Sequence, residues 1–277
     1  MNARPTDGVP VPTRMRVHHL REMKKRGEKI TMLTAYDFPT ARIFDEAGID
    51  TLLVGDSIGN NILGHPSTLP VTLDEMVIAT RSVSRAAKRA LVIADLPFGS
   101  YEGSPQQAHA SAVRVVKEGG AAAVKLEGGR RMAAQVALLT GAGIPVVGHL
   151  GFTPQSENVL GGFRVQGRDH DSQGALVADA KALQDAGACA IVLEMVTGPV
   201  AGRITEILEI PTIGIGAGPN VDGQVLVWTD AMGVGSWRPR FARAFGNVEE
   251  EMFQSARRYA TAVRDSKFPT AEHTYES

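Results

Sequence analysis

AVKLE, residues 123–127, is a short apolar run that ends in Glu127 and carries Lys125 two positions earlier. A strand sends residues i and i+2 to the same face, so the amine and the carboxylate leave together. Three more apolar runs deliver an acid in the same way: LLVGDS (52–57) gives Asp56, LVIADL (91–96) gives Asp95, and AIVLE (190–194) gives Glu194. Turn residues and then a helical pattern follow most of them. In βα units the strand-end residues gather at one rim of a parallel sheet. Acids far apart in sequence would then converge on one pocket.

Working outward, eight strand-like runs are expected: 30–36, 51–57, 91–97, 122–128, 144–150, 189–195, 211–218 and 224–230. Most are almost continuously apolar, as strands buried on both faces are. Helical periodicity fills 72–88, 105–118, 130–142, 172–186 and 200–208, and Gly119, Gly143 and Gly187 stand where C-caps belong. The 215–224 connection is too short for a full helix. The 150–171 stretch is a long glycine-rich loop, and loops of that length are functional or disordered.

Eight alternations predict a single (β/α)8 TIM barrel with its active face at the strand C-termini. A short N-terminal helix within 16–27 and a C-terminal helix near 247–264 flank it. The alternative is an open doubly wound sheet, against which no GxGxxG follows the first strand. The expected organisation is a flexible arm over 1–15, a barrel domain over 16–265 and a tail over 266–277.

The 277 residues are 43% hydrophobic, ample for a large core, and the net charge is −1. No basic stripe with interleaved aromatics is present, which argues against nucleic acid as a partner. The single cysteine, Cys189, reads as a small strand residue, and its solitude fits a reducing compartment. The N-terminal MNARPTDGVPVPTRMRV lacks the apolar centre of a signal peptide, and no run approaches the roughly 18 apolar residues of a membrane span. A cytoplasmic protein is expected.

Asp56 and Asp95 form the natural metal pair. Two carboxylates with waters suit Mg²⁺, a hard ion that takes few protein ligands, and Glu127 could complete the sphere directly or through water. The competing reading makes each acid a helix N-cap. Lys125 could bind an anionic substrate group or form a Schiff base. Acidic neighbours hold an amine protonated, which favours carboxylate binding; a plain ion pair is the alternative. Glu194, set apart from the metal pair beside Leu193, Met195 and Val196, could act as a general base or as a salt-bridge partner. His149 could donate to substrate, support another side chain, or be structural. GIGAG (214–218) is a weak phosphate-loop signal, and GGFRVQGR (161–168) sets two arginines on a glycine-rich loop that could meet a polyanion or simply be solvated.

TMLTAYD (31–37), LLVGDS (52–57), GHPSTLPVTLDEM (64–76), ADLPFGSY (94–101), AVKLEGG (123–129), GHLGFTPQS (148–156), GGFRVQGR (161–168), VLEM (192–195) and PTIGIGAGPNVDGQVLVW (211–228) run in order over roughly 16–265. Taken together they resemble the ketopantoate hydroxymethyltransferase family. The resemblance implies a (β/α)8 barrel, Mg²⁺ and a homo-oligomer, commonly a decamer. It implies transfer of a one-carbon unit from 5,10-methylenetetrahydrofolate to 3-methyl-2-oxobutanoate, giving 2-dehydropantoate (ketopantoate) in the first step of pantothenate synthesis. It further implies that Asp56, Asp95 and Glu127 bind the metal, that Asp56, Ser57, Asp95 and Lys125 hold the oxo acid, and that Glu194 accepts the proton. Two departures stand out. Thr197-Gly198-Pro199 replaces a segment that usually opens with proline, and GHPST (64–68) has proline where the family usually has an acid. The rival readings are another metal-dependent C–C lyase or transferase on the same barrel, and a non-catalytic oligomeric scaffold.

Overall fold

A computed structural model describes residues 12–275. Eight parallel strands close into a barrel in chain order: β1 (Ile30–Thr34), β2 (Thr51–Val54), β3 (Leu91–Asp95), β4 (Ala123–Glu127), β5 (Val146–Gly151), β6 (Ala190–Glu194), β7 (Thr212–Ile215) and β8 (Gly223–Leu226), with β8 pairing back onto β1. Closure excludes the open doubly wound sheet. The strands are as apolar as expected because both faces are buried, one by the barrel interior and one by helices; β2, β3, β4 and β7 are buried at every position.

The helices, in chain order, are α1 (Val17–Arg26), α2 (Phe38–Glu46), α3 (Ile58–Asn61), α4 (Leu73–Ala86), α5 (Pro105–Arg114), α6 (Ala133–Gly141), α7 (Glu157–Leu160), α8 (His170–Asp185), α9 (Gly198–Ile207), α10 (Trp228–Met232) and α11 (Val248–Arg264). Their starts are written in short polar side chains. Asp37 accepts from the Thr40 amide at 2.9 Å, and Thr72 and Glu75 form a reciprocal capping box on α4. On α4 the periodic residues Met76, Val77, Thr80 and Val83 are buried. No helix joins β7 to β8, so the seventh unit is abbreviated as its length requires.

One expectation changes at the end of the barrel. The 224–230 run is a strand only to Leu226, and α10 begins at Trp228. By its own contacts the chain forms one compact unit ending at Val227 and a second beginning at Trp228. The physical reason is that β8 completes the closed sheet by Leu226, after which the chain bonds to itself: Phe245 donates its amide to Ala231 O and Gly235 its amide to Glu249 Oε2, both at 2.8 Å. The expected α11 is present, but none of its residues is buried, and Met252, Tyr259 and Val263 stay exposed. Most of the expected 1–15 arm lies outside the described residues. Among those described, no helix is long and apolar enough to cross a membrane.

Candidate active site

Parallel register does the first part of the assembly. Asp95 on β3 stands beside Lys125 on β4, Glu127 beside His149 on β5, and Gly151 beside Glu194 on β6. Asp56 lies two residues beyond the end of β2, in the turn that leads to α3. These side chains, with Ser57, line one pocket of about 90 Å³ whose remaining walls include Thr34, Leu53, Val192, Ile215 and Val225. All four acids reach the same rim, and none serves as the N-cap of a helix; those caps are residues such as Asp37, Thr72, Ser104 and Asp169.

The cluster is held in a network. The Asp56 amide donates to Asp95 Oδ2 at 3.1 Å, and the Gln155 side-chain amide donates to Asp56 Oδ2 at 2.8 Å and to Leu96 O at 3.0 Å. Gln155 also donates its backbone N–H to Glu127 Oε2 at 3.0 Å. The Tyr101 hydroxyl donates to Gln155 Oε1 at 2.6 Å and accepts from the Glu127 amide at 3.1 Å. Ser57 Oγ and the Tyr36 hydroxyl bond at 2.8 Å. Lys125 Nζ is 3.0 Å from Asp95 Oδ1 and 3.2 Å from His149 Nδ1, while His149 Nε2 is 3.1 Å from Glu194 Oε2.

The charges explain the titration behaviour. Burial raises the Asp56 carboxyl well above its ordinary value, and the Asp95 and Glu127 charges push it further. Asp95 is raised too, by burial, against the opposing pull of Lys125. Burial would depress the Lys125 ammonium, but Asp95, Glu127 and Asp56 outweigh it and hold the amine protonated. His149 Nδ1 cannot both accept from Lys125 and donate to Glu127 Oε1, 3.3 Å away. Burial and Lys125 lower its basicity, yet Glu127 and Glu194 prevail and raise it to about 9. The ring lies between two carboxylates, with Lys125 beside its Nδ1.

The network is incomplete. Asp95 Oδ1, Glu127 Oε1 and His149 Nε2 are buried with no hydrogen bond beyond their ion-pair neighbours, which lie at 3.0, 3.3 and 3.1 Å. Among the described residues no three His, Cys, Asp or Glu side chains stand ready around a metal. Lys125 sits against Asp95, and Gln155 and His149 engage Glu127. The donor set nonetheless fits a hard divalent ion. Two adjacent carboxylates, Asp56 and Asp95, are as many protein ligands as Mg²⁺ commonly takes, and four acids outnumber two cationic side chains.

Sequence reasoning placed Asp56, Ser57, Asp95, Lys125, Glu127 and Glu194 on this rim, and the fold brings them together. It assigned no part to Gln155, Tyr101 or Tyr36. Each lies in a motif it quoted, and a buried tyrosine hydroxyl generally requires a partner, which was the available signal. Cys189 precedes β6, at the opposite end of that strand from Glu194. Gly214 of GIGAG is explained by packing, since a methyl there would come within 2.9 Å of Val221.

The family model described as ketopantoate hydroxymethyltransferase matches residues 14–271. A protein of Saccharopolyspora erythraea named 3-methyl-2-oxobutanoate hydroxymethyltransferase is 56% identical over 273 residues, 98% of this chain and 93% of that protein. One of the same name from Thermobifida fusca is 55% identical, over 95% and 94% of the two chains. Among solved structures, phosphonopyruvate hydrolase in complex with oxalate and Mg²⁺ superposes with a TM-score of 0.61 at 15% identity, covering 95% and 92% of the chains. 2,3-Dimethylmalate lyase, a PEP mutase/isocitrate lyase superfamily member, gives 0.58 at 17% identity, covering 94% and 91%. At such identities these structures share the fold alone. The chain belongs to the ketopantoate hydroxymethyltransferase family, whose members are transferases.

Proposed function

We propose that this chain catalyses hydroxymethyl transfer to 3-methyl-2-oxobutanoate, forming 2-dehydropantoate, with 5,10-methylenetetrahydrofolate as the one-carbon donor and Mg²⁺ as cofactor. The observation that carries the reading is the convergence of Asp56, Asp95, Glu127, Lys125, His149 and Glu194 on one small pocket. Asp56 and Asp95 would hold the metal, with Glu127 reaching it through water, since its Oε2 already accepts from Gln155. When bound, Mg²⁺ supplies electrophilic stabilisation for the negative charge that develops on the substrate's oxygen.

The remaining steps belong to this chain's own residues. Lys125 stays an ammonium among carboxylates, so it pairs with the oxo-acid carboxylate and is a poor Schiff-base nucleophile. Ser57, steadied by Tyr36, offers a hydroxyl on the pocket wall. Water adds to the methylene carbon of the donor and its two C–N bonds break, releasing tetrahydrofolate and leaving the carbon as an aldehyde. Glu194 removes the proton at C3, and the resulting carbanion equivalent attacks that aldehyde carbon, whose oxygen takes up a proton to become the new hydroxyl. His149 Nε2, 3.1 Å from Glu194 Oε2, stands beside the base and would steady it electrostatically. Leu53, Val192, Ile215 and Val225 exclude water from the apolar end of the substrate.

A cytoplasmic location and a homo-oligomer, as large as a decamer, accompany this reading as the first step of pantothenate synthesis. The deciding experiment is an assay of 2-dehydropantoate formation with Mg²⁺ and methylenetetrahydrofolate, each omitted in turn. Product is expected only with both present. Turnover undiminished by excess chelator would remove the metal from the scheme, and borohydride trapping of oxo acid on Lys125 would replace carboxylate binding by covalent catalysis.

A further inference from the structure

The loop after β5 holds two arginines that the oxo-acid pocket does not use. Residues 159–160 and 163–169 wall a groove of about 710 Å³ that also includes Ser172 and Met195, and Met195 directly follows Glu194. Arg164 and Arg168 both line this groove and are exposed, and neither guanidinium has a carboxylate partner among the described residues. The acid on the groove, Asp169, is engaged as the N-cap of α8, accepting from the Ser172 amide at 2.9 Å and its hydroxyl at 2.7 Å. Phe163 is 73% exposed, yet its ring rests 4.8 Å from that of the fully buried Phe152, tilted by 30°. An exposed aromatic anchored by a buried one is a preorganised platform for a planar group.

The loop is also fastened rather than loose. The Gln166 amide donates to Met195 O at 2.8 Å, the Thr197 amide donates to Gln166 O at 3.2 Å, and Thr197 Oγ1 donates to Gly167 O at 3.0 Å. Gln166 and Val196 thereby pair as a short parallel bridge across the exit of β6. A proline at position 197 would have no N–H for this clasp, so the threonine departure supplies a donor. Met195 adopts φ +49°, a strained conformation for a residue with a side chain, and the bonds on either side of it hold it there. The clasp sets Arg164 and Arg168 on a fixed wall leading from the base Glu194.

We propose that this groove holds the tail of the one-carbon donor, with Arg164 and Arg168 pairing with its glutamate carboxylates and Phe163 lying against its aminobenzoyl ring. The inference rests on the folate reading above. A guanidinium fork matches a carboxylate in geometry and stays charged at every working pH. Lys125 already serves the carboxylate of the smaller substrate, which leaves a second and separate anion site for the larger one.

The test compares the wild type with Arg164→Ala, Arg168→Ala and the double variant. Loss of a charge-assisted contact should raise KM for methylenetetrahydrofolate about tenfold or more per arginine, while KM for the oxo acid stays within twofold. Arg→Lys at either position should recover part of the loss. The wild-type donor KM should rise with ionic strength and that of the double variant should not. In parallel, p-aminobenzoyl-triglutamate is titrated calorimetrically into each protein, and only the wild type should bind it. Failure of the wild type to bind this tail, or an unchanged donor KM in the double variant, overturns the groove assignment. A wild type that binds the tail but forms no product with the folate donor overturns the functional reading instead.

Discussion

The two ends of the barrel both bury acidic side chains, and they treat them in opposite ways. At the N-terminal end Asp45 accepts from the amides of Lys88, Arg89 and Ala90 at 2.9, 3.0 and 2.6 Å, and Asp50 accepts from the Thr31 amide and hydroxyl at 3.0 and 2.8 Å and from Arg89. Asp222 repeats the device near β8, accepting from the Thr212 amide and Lys24, both at 2.8 Å. At the C-terminal end Asp95 Oδ1, Glu127 Oε1 and His149 Nε2 have no hydrogen bond beyond their ion-pair neighbours, and Asp56 is crowded by like charge. A buried polar group left unsatisfied opposes folding, whereas a satisfied one is close to neutral or favourable. One end satisfies its acids with backbone amides, and the other holds them through ion pairs and like-charge crowding, as the proposed ligand site would require.

The sharpest way to break that contrast is Asp56→Asn. The amide keeps an acceptor for Gln155 but removes the carboxylate proposed to hold the metal, and with it a repelled charge. Turnover should fall about 10³-fold or more, the equivalent of several kcal/mol of electrostatic stabilisation, while the metal-free melting temperature holds or rises. The sign follows from the raised carboxyl. A group whose pKa is higher in the folded state stabilises below its unfolded value and loses that contribution as pH rises through the folded one. In chelator, the wild type should therefore lose stability as pH climbs above the ordinary carboxylate range, and Asp56→Asn should lose less. A steeper loss in the variant would contradict the account.

Glu194→Gln should lower turnover and C3-proton exchange into deuterated water by about 10²–10⁴-fold, with Mg²⁺ and oxo-acid affinity by calorimetry nearly unchanged. Exchange at the wild-type rate would move the base elsewhere, with His149 the first alternative. At the other end, Asp45→Ala should strand three amides and destabilise by about 3 kcal/mol, seen as a lower denaturation midpoint, with kcat intact. A loss of kcat without loss of stability would erase the distinction between the ends. The smallest effect is expected at Thr72→Ala, an exposed residue that bonds to neither cluster. Loss of the α4 capping box should cost about 1 kcal/mol, read by denaturant titration, and leave every kinetic constant alone.

By itself the sequence determined the barrel and most of its rim. A buried strand must be continuously apolar and a following helix must be capped, so runs such as AVKLE and the Thr72–Glu75 box announce their elements locally. An acid at such a strand's end can only lie at the common rim. Tertiary structure decided what those acids touch. Gln155 lies 99 residues from Asp56 and Tyr101 lies 54 from Gln155, separations over which no local periodicity carries information. The clasp between Gln166 and Thr197 is equally invisible before β5 and β6 are side by side. The exposure of α11 was not legible either, because its amphipathic pattern states that one face is apolar and not what that face meets. Propensity and patterning act within a few residues, while hydrogen-bond satisfaction and charge crowding depend on which distant groups the closed barrel brings within about 3 Å.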